Sequence, residues 1–172
     1  FLADVGNRSG VDNIYLIAHS LGTRATTEAI RNLAQSEPGI RSKIREVVLA
    51  APDIDAEIFR RDIAPRIVTR EPSITVYASA SDKAMVASRN LHGYVRAGDT
   101  SGGIKPITGV ELVDATNAET DFVGHAYYGD SKSIVSDLYE LINARSRADK
   151  RERLEAIGEQ ATRTFRFLLP AS

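Results

Sequence analysis

Five residues, Ala18-His19-Ser20-Leu21-Gly22, constrain this chain more than any other stretch. They separate an apolar run, Ile14-Tyr15-Leu16-Ile17, from a segment in which Leu21, Ala25, Ala29, Ile30, Leu33 and Ala34 recur near a period of 3.6. That order predicts strand, sharp turn and helix, with a serine at the turn. A helix that starts almost on top of its strand leaves little room, so the positions two before and two after the serine are expected to be small; Ala18 and Gly22 meet that condition. A serine hydroxyl is a poor nucleophile until it is presented and another group takes its proton, and a tight turn solves the first problem. The competing reading makes Ser20 only the cap of the helix that follows.

The same alternation continues along the chain. Residues 46–51 read as a second buried strand ending in Pro52-Asp53-Ile54-Asp55, and a short helix from Ala56, capped by Asp55, carries Ile58, Phe59 and Ile63 on one face. Residues 74–79 form a third strand, followed by Ser81-Asp82 and a helical pattern through Ala84, Ala87, Ser88 and Leu91. Residues 95–109 are a loop by composition, and residues 110–115 a fourth strand whose Glu111 and Asp114 suit an edge. Asp130 or Ser131 caps a helix striped with Ile134, Val135, Leu138, Leu141 and Ile142. The charge-rich residues 148–160 read as a solvated helix, and residues 164–169 as a strand or extended arm. The expected fold class is α/β: a parallel sheet of about four strands with helices on both faces, in residues 1–145, and a tail, 146–172, packing on the same domain. Ligands of such sheets bind beyond the carboxyl ends of the strands, where Ser20, Asp53, Asp82 and His125 all fall.

Several function classes are excluded or left without support. The absence of cysteine removes disulfides and thiolate catalysis. A net charge of −1 with interspersed signs argues against nucleic acid or an anionic membrane as partner. His19, His92 and His125 lack ligand spacing, so no metal is expected, and no apolar run reaches membrane-spanning length. The chain begins at Phe1, in what reads as the end of a helix. We expect the natural protein to continue upstream, where any targeting signal would sit; the compartment is therefore unassigned.

The turn resembles the nucleophile elbow of the α/β-hydrolase superfamily, with Ala18 where glycine is more usual. That resemblance implies a chain order of Ser, then Asp or Glu, then His. Asp82, after the third strand, matches the usual acid position, and His125, in the loop after the fourth, matches the histidine. Asp53, after the second strand, is the alternative acid. Leu21 would supply an oxyanion N–H at the helix start. Each has a plainer competitor: Asp82 as a helix N-cap, His125 as a hydrogen-bonded loop histidine. His92, at a helix end, reads as structural, and His19 as a local packing residue. The segment Gly98-Asp99-Thr100-Ser101-Gly102-Gly103 resembles a chymotrypsin-like nucleophile loop, but carries an inserted Thr and lacks that family's residue order; it reads as a flexible connector.

Residues 18–23, 47–55, 76–82, 88–93 and 110–128 resemble a bacterial α/β-hydrolase family catalogued as domain of unknown function 900, described as esterase/lipase-like. The superfamily sheet normally has about eight strands, and this chain resembles its C-terminal half, beginning at the nucleophile strand. The resemblance therefore implies a missing second oxyanion donor, a bare edge on the nucleophile strand, and pairing with another copy or with an N-terminal half. Its functional implication is a serine hydrolase acting on a small-molecule carboxylic ester through an acyl-enzyme, without a cofactor. The alternatives are a non-catalytic interaction scaffold and a truncated, inactive fragment.

Overall fold

The apolar runs read from the sequence lie side by side in one sheet. The computed structural model describes residues 1–68, 73–103, 105–118, 131–158 and 163–169. Strands β1 (Ile14–His19), β2 (Ile44–Ala50), β3 (Ser73–Ala78), β4 (Val110–Asp114), β5 (Leu154–Ala156) and β6 (Thr164–Phe167) form a six-stranded sheet in the order β1-β2-β3-β4-β6-β5. Every neighbouring pair is parallel except β5–β6. Among the described residues the helices are α1 (Leu2–Arg8), α2 (Gly22–Ser36), α3 (Pro38–Arg41), α4 (Ala56–Ile58), α5 (Ala64–Ile67), α6 (Lys83–His92) and α7 (Lys132–Asn143), with a π-helical turn at Phe59–Ile63 between α4 and α5.

Successive side chains of a strand point to opposite faces, and this alternation divides the core in two. Val47, Leu49, Val76 and Leu112 face α2, α3 and α5, meeting Ile30, Leu33, Ile40 and Ile67. Val48, Ala50, Tyr77 and Val113 face the other way, toward Met85 of α6 and Ile134 and Leu141 of α7. Helix starts follow their capping side chains: Asp55 Oδ1 accepts the N–H groups of Glu57 and Ile58, both at 2.9 Å, and Ser131 Oγ accepts from Ile134. Helix α6 ends at Gly93, whose φ of +78° closes it in the left-handed region.

The tail departs from the sequence expectation. Of residues 148–160, the described part, 148–158, does not make a charged helix: Ala148–Lys150 is a short 3₁₀ turn and β5 follows it. The alternating run at 164–167 is a strand, and it pairs with β4. Six strands therefore replace the four expected, and β4 lies inside the sheet rather than at its edge. The physical reason is charge pairing over a long sequence distance. Glu111 on β4 is only 2% exposed. It accepts from Arg151 at 3.3 Å and from Arg147 at 2.6 Å, and is also bound by Arg163, all three residues of the tail. Glu46, on the same face, accepts from Arg147 at 2.7 Å and from Thr75 Oγ1 at 2.9 Å. Asp137 of α7 completes the cluster, accepting from Arg151 at 2.6 Å and from the Tyr77 hydroxyl at 2.5 Å. Tyr77 also stacks on Phe167 at 6.5 Å.

The Gly98–Gly103 segment is likewise tied down, not a free connector. Gly98 N–H donates to Pro52 C=O and its own carbonyl accepts from Ser79 N–H, each at 3.0 Å. A Cβ at Gly98 would lie 2.6 Å from the carbonyl carbon of Ala51, so only glycine permits this approach. Asp99 is buried and ion-paired with Arg89 at 2.9 Å.

Two predictions follow from the buried charges. Glu111→Gln leaves three guanidinium groups short of a countercharge and is expected to cost about 3–5 kcal/mol in urea unfolding; a change within ~0.5 kcal/mol would contradict the pairing. Burial holds the Glu46 carboxyl above its ordinary value near 4.5 despite Arg147 and Thr75. The folded chain thus keeps that proton to higher pH than the unfolded chain, so the group's contribution is full below about 4.5 and erodes as pH rises through the elevated value. Glu46→Gln should flatten the decline in urea midpoint above pH ~4.5, whereas an unchanged slope would remove Glu46 as its source.

Candidate functional site

Only two residues separate β1 from α2, and the chain reverses within them. Ser20 takes the strain, with φ at +53°, a left-handed conformation that costs a non-glycine residue about 1–3 kcal/mol unless its surroundings enforce it. They do so through both peptide groups. Ser20 N–H donates to Ala50 C=O at the end of β2, at 2.9 Å. Ser20 C=O accepts from Thr23 N–H at 3.1 Å, from Thr23 Oγ1 at 2.5 Å and from Asp53 N–H at 3.4 Å. The residue is half-buried, at the carboxyl end of the sheet, beside the first turn of α2. Leu21, expected from the sequence as an oxyanion donor, stands at the N-cap position of α2 without a side-chain cap hydrogen bond and is 59% exposed.

One steric expectation fails. A Cβ added at Gly22 meets nothing within 4 Å among the described residues, so crowding does not require glycine there. Helix α2 starts with that position turned outward, and the turn's tightness is absorbed by the serine backbone instead. Ala18, two residues before the serine, is buried as expected.

Asp53 stands next to the elbow through its N–H, but its carboxylate is heavily engaged. Oδ1 accepts from Ser88 Oγ at 2.6 Å and pairs with Arg96 Nε at 3.2 Å; Oδ2 pairs with Arg24 Nη2 at 3.3 Å. Arg24 Nε also donates to the Asp53 carbonyl at 2.6 Å. This clamp joins α2, the loop after β2, α6 and the 94–98 strip behind the serine. From the sequence alone, Arg24 and Arg96 had no assigned role, and Ser88 was read only as part of a helix. Arg24, one helical turn beyond Ser20, was reachable from helix periodicity alone; Arg96 approaches through loop pairing and had no local signal.

Asp82 follows β3 and is 3% exposed. Its Oδ1 caps α6, accepting from Ala84 N–H at 2.9 Å and Met85 N–H at 3.1 Å. A cap of this kind uses one oxygen of two, so capping and catalysis are compatible. Ser20, Asp53 and Asp82 thus follow three adjacent parallel strands along one rim. His125 lies outside the described residues, as do Gly124, Tyr127, Tyr128 and Asp130. His92 closes α6, its Nδ1 2.9 Å from Ser88 C=O, and His19 is the exposed last residue of β1. Among the described residues no group of three His, Cys, Asp or Glu could hold a metal, and no helix is long and apolar enough to cross a membrane.

A cavity of about 1010 Å³ opens beside the elbow, between α2, residues 54–63 and residues 92–107. Ser20 does not line it. Its near end is formed by Arg24, one turn along α2, and by Ile54, the neighbour of Asp53.

The clamp should be measurable. Asp53→Asn removes the countercharge of two guanidinium groups and is expected to lower stability by about 1.5–3 kcal/mol in urea unfolding; an unchanged midpoint would mean that it holds nothing.

A model of the family described as "Alpha/beta hydrolase of unknown function (DUF900)" matches residues 1–145. No curated protein and no solved structure matches the chain.

Proposed function

The chain belongs to this family of α/β hydrolases of unknown function, and from that premise we propose that it is a serine hydrolase cleaving carboxylic esters. The observation that carries the reading is the left-handed backbone of Ser20 at a two-residue strand-to-helix turn. A helix cap needs no such strain, and a nucleophile presented on a sharp turn does.

In this reading Ser20 Oγ attacks the ester carbonyl while His125 takes its proton through one ring nitrogen. Asp82 accepts a hydrogen bond from the other, fixing tautomer and orientation with the carboxylate oxygen not used by the cap. Leu21 N–H, at the start of α2, donates to the carbonyl oxygen as negative charge develops there. Collapse expels the alcohol, which receives the proton from His125, and leaves an acyl-Ser20 ester. Water, deprotonated by His125, then releases the carboxylic acid and restores the serine. The arginine pairs on Asp53 favour a positioning role for that residue behind the elbow, and Asp82 for the acid.

A fluorophosphonate probe is expected to attach to Ser20, located by peptide mass spectrometry. Ester hydrolysis by the full-length protein should fall ~10⁶-fold in Ser20→Ala and ~10⁴-fold in Asp82→Asn. Turnover that survives Ser20→Ala would reject the mechanism, and a larger loss in Asp53→Asn than in Asp82→Asn would transfer the acid role. A folded protein that neither reacts with the probe nor hydrolyses esters would instead be the interaction scaffold.

A further inference from the structure

The cavity beside the elbow carries two features that together define a ligand. Its floor is apolar, formed by Ile54, Ile63, Ala97, Ile107 and Leu112. A surface of that kind favours hydrocarbon over a sugar or a peptide backbone, whose polar groups would go unpaired. Its described walls carry six basic residues against four acidic ones. The outer cations are exposed and screened by water: Arg31 pairs with Glu28 at 2.5 Å, and Arg60 and Lys105 share Glu57 at 2.6 and 3.4 Å.

Arg96 differs from these. It lines the cavity, is 4% exposed, and its Nη2 is buried with no hydrogen-bond partner among the described residues. A buried donor left unused is uncommon and costly. Arg96 shares the single Asp53 carboxylate with Arg24, so two guanidinium groups face one countercharge at the end of the cavity nearest Ser20. The local balance is one positive charge in excess, in a setting where water screens it poorly.

We infer that this cavity holds the hydrocarbon chain of an amphipathic ligand, and that the Arg24–Asp53–Arg96 cluster receives that ligand's anionic group. Resting on the reading of Ser20 as nucleophile, the substrate class is a long-chain acyl ester carrying a carboxylate or phosphate. The chain lies over Ile54, Ile107 and Leu112, and the excess charge at Arg96 and Arg24 selects the anion. An uncharged ester of equal length lacks that second contact.

The test is calorimetric binding to the full chain carrying Ser20→Ala, which removes turnover and leaves the cavity lining intact. Dodecanoate is expected to bind at least about tenfold more tightly than dodecan-1-ol, and acetate not to bind measurably. Arg24→Met, at a half-exposed position, should remove most of the difference between dodecanoate and dodecan-1-ol; Arg96→Met should do the same if it folds, as judged by circular dichroism. Ala97→Phe, which fills the floor, should weaken both ligands. Equal affinity for the acid and the alcohol, or full dodecanoate affinity in Ala97→Phe, would overturn the inference. So would binding to phosphatidylglycerol vesicles without binding to monomeric dodecanoate, which would assign the surface to a membrane. Dodecanoate binding in a protein whose Ser20 ignores the fluorophosphonate would remove the nucleophile and leave the cavity assignment standing; a labelled Ser20 without dodecanoate binding would do the reverse.

Discussion

The backbone of one residue organises this molecule. Ser20 is held in the left-handed region by hydrogen bonds on both its peptide groups, and two of those bonds, to Ala50 and from Asp53, depend on something distant. Ala50 C=O reaches Ser20 N–H because β2 runs parallel to β1 with His19 opposite Ala50. That register in turn needs α2 and α3 to carry the chain back across one face. Asp53 N–H reaches Ser20 C=O because the loop after β2 is itself sharply bent, with Ala51 at φ +43° and Gly98 pressed against it. Strain at the turn is thus shared by a small set of interlocking backbone contacts at the carboxyl end of the sheet.

The two faces and two sides of the sheet do different work. The rim at the carboxyl ends of β1, β2 and β3 holds Ser20, Asp53 and Asp82, with the cavity opening beside it. The cluster of Glu46, Glu111, Asp137, Arg147, Arg151 and Arg163 binds the tail to the sheet instead. Such a cluster contributes little net stability over an apolar core, but breaking one member is costly, so it specifies one arrangement of the tail against β4. At the opposite side β1 ends the sheet, and among the described residues nothing pairs with its outer edge; Ile17 is 55% exposed there.

What the sequence made legible was local. The serine turn, the first four strands and the caps at Asp55, Asp82 and Ser131 each rest on neighbours within a few residues, where steric and hydrogen-bonding rules are strong. What it hid was paired at long range. Glu111 looked like an edge residue because its partners lie 36, 40 and 52 positions away. Residues 148–158 carry helix-favouring Arg, Glu and Ala, yet pairing of Leu154–Ala156 with β6 and the burial of Phe165 and Phe167 override that weak preference. Gly98 through Gly103 read as loose because glycine permits freedom; at Gly98 it permits contact. The chain order Ser20, Asp82, His125 belongs to the sequence, with His125 outside the described residues, whereas the Arg24–Asp53–Arg96 clamp exists only once α2 and two loops are brought together.

Ser20 is kept in a conformation its own side chain disfavours. Comparing Ser20→Gly with Ser20→Ala in urea unfolding isolates that backbone effect, since both variants lack the hydroxyl and only glycine relaxes at positive φ. The glycine variant is expected to be the more stable by about 1 kcal/mol or more. An alanine variant more stable than the glycine one by ~0.5–1 kcal/mol, the usual order at an unstrained position, would contradict it.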